Sequence, residues 1–88
     1  MQPELEHLGQ LSVIQIGGDF TVDDTDRFQR QALEQMDLNV RDFILDLGNN
    51  DYMDSAGLET LLWLQDESAQ HLGQVRLANV TEPVANIL

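Results

Sequence analysis

The segment FILDLGNNDYMDSAGLETLL, Phe43 to Leu62, reads as an apolar strand, a short acidic turn and the start of a leucine-rich helix. Phe43, Ile44, Leu45 and Leu47 surround a single acid, Asp46, the pattern of a buried central strand. Gly48-Asn49-Asn50-Asp51 breaks that strand. Ser55 then falls where a helix begins, and it has two readings. It either caps the helix or displays its hydroxyl at the positive end of the helix dipole. In the second case Asp54 is the cap and Ser55 sits in the first turn. The helix runs to about Leu72, with Leu58, Leu61, Leu62, Ala69 and Leu72 at helical spacing and Gln65 interrupting the stripe. Gly73 stands where a helix C-terminal glycine belongs. Gly57 is expected to permit close helix packing, since a first-turn glycine otherwise costs stability. Trp63 and Leu64 lie off the stripe and are read as core, the alternative being a partner or dimer patch if they are exposed.

Outward from this segment, Leu5–Leu8 forms a short strand that Gly9-Gln10 turns into Leu11–Ile16, which partly alternates apolar and polar residues. Gly17-Gly18 is expected to end the second strand. Thr21, Asp23 or Asp24 can cap a helix reaching about Met36, with Phe28, Ala32 and Met36 on one face. Leu38–Arg41 is a loop, Val75–Ala78 a further strand, and Thr81-Glu82-Pro83 a helix start. The expected order is β-β-α-β-α-β-α. Helices joining consecutive strands imply a partly parallel sheet. The fold class is therefore α/β: one domain over residues 3–88, with functional loops at strand C-terminal ends.

Eighty-eight residues, 42% of them apolar, suffice for one modest core. There is no cysteine, so disulfides and thiolate chemistry are excluded. The acids are scattered, without a metal-ligand pattern, and no cofactor is expected. No run of about eighteen apolar residues exists and the N-terminus lacks a signal-peptide pattern, so the expected location is the cytoplasm. Sixteen acids oppose four arginines (Arg27, Arg30, Arg41, Arg76), and the net charge is −12 without a single lysine. That balance argues against nucleic acid and anionic membranes and is compatible with a basic protein partner.

As a hydrolase nucleophile, Ser55 would need a base and an oxyanion hole. His7 lies in the first strand. His71 is separated from Ser55 by about sixteen helical residues, roughly 24 Å of rise. The Gly-x-Ser-x-Gly elbow is absent, so an enzyme is not expected. As a phosphate acceptor Ser55 needs only exposure. A phosphate there would meet free helix amides, which favour anions. It would also add about two negative charges beside Asp51, Asp54 and Glu59. The fold would tolerate the change and an interface would not, which is what a switch requires.

Phe43-Ile-Leu-Asp-Leu-Gly, then Tyr52-Met-Asp-Ser-Ala-Gly-Leu58 and Leu61-Leu62, resembles the signature of STAS domains, and more narrowly that of bacterial anti-sigma factor antagonists. The resemblance extends over nearly the whole chain, through Gly18-Asp19, Gly73–Ala78 and Thr81-Glu-Pro-Val84. It implies a protein that binds an anti-sigma factor, itself a GHKL-type serine kinase, and so frees the sigma factor. The kinase then phosphorylates the motif serine, which matches Ser55, and a serine phosphatase restores it. By the same resemblance the partner surface comprises Gly18, Asp19, Asn50, Asp51, Asp54, Ser55, Ala56, Gly57, Leu58 and Glu59. Asp46 matches the acid of the central strand. Homo-oligomers are compatible with it. Relatives usually continue beyond the position of Leu88. The alternative within the family is a STAS subunit of a larger assembly, such as a lipid-transport ATPase complex or a signalling scaffold, in which Ser55 stays unmodified. A response-regulator receiver with Asp46 as phosphoacceptor is a different reading. It fails for want of an acidic pair after the first strand, a downstream lysine and roughly a third more chain.

Overall fold

The computed structural model describes residues 2–88, with side chains from Glu4 onward. Strand β1 (Gln2–Leu8) turns at Gly9 into β2 (Leu11–Phe20), and the two pair antiparallel from Gln2↔Gly17 to Leu8↔Leu11. Helix α1 (Val22–Asp37) follows, then β3 (Asp42–Asp46), β4 (Asn50–Met53), α2 (Ser55–Gln70), β5 (Val75–Ala78) and the one-turn α3 (Glu82–Ala85). The sheet order is β1-β2-β3-β5, and only the β1–β2 pair is antiparallel. The mixed, mostly parallel sheet is the one the element pattern predicts.

Strand β4 is additional to that pattern. The expected end of the second strand at Gly17-Gly18 is not an end: β2 bulges between Gly18 and Asp19, with Gly18 at φ +69°, and continues to Phe20. This extension offers an edge, and the chain after the Leu47 corner pairs along it through Gly18↔Asn50, Asp19↔Tyr52 and Phe20↔Met53. Four residues with one buried polar position carry no period-2 signal.

The core follows the alternation of β2 and β3. Ile14, Ile16 and Phe20 meet Phe43, Leu45 and Leu47, closed by Phe28 and Ala32 of α1, Leu61 and Leu64 of α2, Met53 and Val84. Phe20 and Phe28 pack edge-to-face, 5.2 Å between centroids and 61° between planes, a favoured aromatic geometry.

The buried face of α2 differs from the leucine stripe. Gly57, Thr60, Leu61, Leu64 and Ser68 are buried, while Leu62 and Leu72 are 53% and 86% exposed. Leu58 and Trp63 are partly buried against the core. The cause lies at Gly57. A Cβ there would come 2.5 Å from the Phe20 carbonyl oxygen, so the first turn presses against β2 and fixes the helix rotation.

The end of α2 corrects the role expected for Gly73. Leu72, at φ +64°, takes the left-handed position. The Leu72 and Gly73 amides donate to the carbonyls of Ala69 and Ser68, closing a Schellman motif one residue earlier than expected. Gly73 is required for another reason: a Cβ there would overlap the Arg41 backbone. Helix α1 ends likewise, with Asn39 at φ +69°.

Candidate functional site

The C-terminal ends of β2 and β4 bring together the starts of both long helices. Asp54 is the N-cap of α2, and its Oδ1 accepts from the Gly57 amide at 2.8 Å. Its Oδ2 accepts from the Val22 amide, the first residue of α1, at 3.0 Å. One carboxylate therefore serves two helix N-termini, each of which leaves unsatisfied amides that favour an anion. The Asp54 amide in turn donates to the Phe20 carbonyl at 3.2 Å. Helix α1 has its own cap. The Thr21 amide donates to Asp24 Oδ2 at 3.1 Å. Burial pushes the Asp24 carboxyl up, and the Thr21 amide together with nearby positive charge, Arg27 included, outweighs it and holds Asp24 below its ordinary value.

With Asp54 as cap, Ser55 is the first residue of α2. It is exposed, and its hydroxyl forms no hydrogen bond among the described residues. Of the two readings open in the sequence, the geometry selects the displayed hydroxyl.

The remaining expected site residues divide by depth. Gly18, Asp19, Asp51 and Glu59 are exposed, Ala56 and Leu58 half-buried. Asn50 and Gly57 are buried and shape the surface from beneath. Asn50, 2% exposed, donates through Nδ2 to the Gly18 carbonyl at 2.9 Å and the Tyr52 carbonyl at 3.3 Å, holding the bulge against β4. Two exposed apolar side chains outside the expected partner surface lie beside the Asp54 cap: Val22, 62% exposed, whose amide Asp54 holds, and Tyr52 of the motif, 48% exposed. Their signal was faint. Val22 directly follows a helix cap, and Tyr52 sits in a strand too short to predict.

Asp46 behaves as a strand-end acid bonded to its neighbours. Its Oδ1 accepts from the Gly48 amide at 2.9 Å and the Asn79 side-chain amide at 3.1 Å. These donors, Gly48 first, hold its carboxyl below the ordinary value. The histidines lie elsewhere. His7, near the end of β1, contacts the Gly9 carbonyl at 2.7 Å, and His71, the C-cap of α2, contacts the Glu67 carbonyl at 2.9 Å. Neither is placed to serve Ser55 as a base. Among the described residues no group of three or more His, Cys, Asp or Glu is arranged to hold a metal. No helix among them is long and apolar enough to cross a membrane.

Comparison with known proteins agrees with this architecture. A STAS-domain containing protein of Pseudomonas aeruginosa (strain UCBPP-PA14) is 38% identical over 80 residues, 91% of this chain and 78% of the relative. The anti-sigma factor antagonist SpoIIAA in its unphosphorylated form superposes with a TM-score of 0.85 at 18% identity, covering 99% of this chain and 81% of that one. The phosphorylated form of the Bacillus SpoIIAA gives 0.84 at the same 18% identity, over 98% of this chain and 79% of that one. The murine anion transporter Slc26a9 contains a similar unit: TM-score 0.76, 15% identity, 93% of this chain but 14% of the transporter. The STAS domain model matches residues 2–88, and the chain belongs to the STAS domain family.

Proposed function

We propose that this chain is an anti-sigma factor antagonist working by partner switching. In this reading it binds an anti-sigma factor that is also a GHKL-type serine kinase while Ser55 is unmodified. Phosphorylation of Ser55 releases it, and a serine phosphatase restores it. The observation that carries the reading is the division of labour between neighbours: Asp54 does the capping, and Ser55 is left exposed with an unengaged hydroxyl. A phosphate on Ser55 would lie over the positive end of α2, where the fold accepts it. It would place about two more negative charges within a patch that already holds Asp19, Asp51 and Glu59 and the apolar Val22 and Tyr52. A close contact over Ser55 would then be lost without unfolding the domain. The similarity in fold to SpoIIAA in both forms supports this tolerance. The partner surface in this reading is the Gly18–Asp19 bulge, the Asp51–Ser55 segment and the first turns of α2.

A second reading is favoured by the Slc26a9 likeness: a STAS unit that docks constitutively within a larger assembly, with Ser55 unmodified. The two separate in one experiment. Wild type, Ser55→Ala and Ser55→Asp are used as baits in host lysate and then titrated with the recovered partner. Retention of a GHKL kinase by the first two and its loss with Ser55→Asp is the expected result. Equal retention of a transporter or scaffold subunit by all three defeats the switch.

A further inference from the structure

Between α1 and α2 lies a groove of about 370 Å³ lined by Thr25, Gln29, Ala56, Glu59, Thr60 and Trp63. It starts at Ala56, the residue after Ser55, so it continues the proposed partner surface along the helix pair. Its chemistry is specific. Trp63 is the only tryptophan of the chain, and Glu59 lies one turn before it on the same helix face. Thr25 brings a hydroxyl and Gln29 a carboxamide from the opposite wall, also one turn apart. The Thr25 hydroxyl spends its proton on the Val22 carbonyl at 3.0 Å and keeps its lone pairs. Thr60 spends its own on the Ala56 carbonyl at 2.9 Å. The lining therefore presents an aromatic ring, one carboxylate and several acceptors, with no cationic group.

We infer that this groove receives an arginine side chain of the protein partner, its guanidinium stacked on Trp63 and charge-paired with Glu59. A guanidinium is planar, stacks on indole and fans five donors outward, whereas an ammonium is a compact, strongly hydrated point charge. The acceptors of Thr25 and Gln29 suit the fan. The net charge of −12 favours approach of a cationic group and disfavours a second copy of the chain as occupant. Assigning the arginine to the partner rests on the partner-binding reading above; the affinity of the groove for a guanidinium does not.

The test is an NMR titration with the blocked tripeptide acetyl-Ala-Arg-Ala-amide and its lysine and citrulline counterparts. The Trp63 indole N–H and the amides of Thr25, Gln29 and Glu59 are followed. A saturable shift is expected with arginine, a weaker one with lysine and none with citrulline. Trp63→Leu, followed at the Thr25 and Glu59 amides, and Glu59→Gln should each abolish it. Circular dichroism checks that both variants remain folded. The inference is overturned by no saturation with arginine, by equal shifts with citrulline, or by shifts that survive both substitutions. Ser55→Asp should still give a saturable arginine titration. If Ser55→Asp binds the GHKL kinase as wild type does while the peptide still saturates the groove, the switch has failed and the groove has not.

Discussion

The two ends of α2 use the same device for different ends. At each, a glycine lets the helix lie against a backbone carbonyl: Gly57 beneath Phe20, Gly73 beside Arg41. At the C-terminal end the exposed residue is Leu72, held left-handed in a Schellman turn that satisfies only its own helix. At the N-terminal end the cap reaches outside its helix to α1, and the residue left on the surface is a serine with an unengaged hydroxyl. Close packing alone therefore does not mark function. What sets the N-terminal end apart is a polar group the packing leaves unused, beside a cap that joins distant parts of the chain.

The glycines give the largest effects. Gly73→Ala forces the Arg41 backbone aside and should cost about 3 kcal/mol; Gly57→Ala, meeting one carbonyl at 2.5 Å, should cost about 2 kcal/mol. Urea unfolding measures both. A Gly57 variant as stable as wild type would mean that the rotation of α2 is not set there. Asp54→Ala comes next. It removes two amide partners and should lose about 1–2 kcal/mol. Because the bond to Val22 spans two helices, amide exchange at the start of α1 should quicken along with that of α2; protection lost at α2 alone would sever the proposed link. Leu72→Gly should raise stability by roughly 0.5–1 kcal/mol, since a leucine at φ +64° is strained and 86% exposed, with little packing to lose. Ser55→Ala should change the melting free energy by less than about 0.5 kcal/mol, as for a surface substitution without a structural role. A loss of about 1 kcal/mol would make Ser55 a cap after all and erase the contrast between the two ends.

The strand from Phe43 to Leu47 and the helix after it were legible because apolar runs and helical spacing are strong local signals. The cap was not, because Asp54 and Ser55 are adjacent and both are good capping residues. Only the long-range bond to Val22 and the contact at Gly57 separate them. The buried face of α2 was misread for a related reason. Leucines were counted as core, whereas the helix is rotated by backbone contact at a glycine, so that Thr60 and Ser68 go inside and Leu62 stays out. Strand β4 and the burial of Asn50, expected on the partner surface, were invisible because they arise only once β2 overruns its hairpin and offers an edge. Of the candidate site, the motif from Tyr52 to Leu58 was readable as a pattern in the sequence. Val22 and the α1 wall of the groove were not, since α1 and α2 are neighbours only in the folded chain.

The carboxylate of Asp54, shared between the Gly57 amide and the Val22 amide, which lies 32 residues before Asp54 in sequence, also bears on how the proposed partner surface would enter a complex. The bulge, the β4 segment and both helix starts are locked together before any partner arrives. In the proposed partner switch, engagement would be closer to rigid docking than to folding upon contact, with little ordering entropy lost on association. A pre-ordered face of this kind can hold its partner through few contacts. In the proposed switch, the same economy would let a single modification at Ser55 tip the balance.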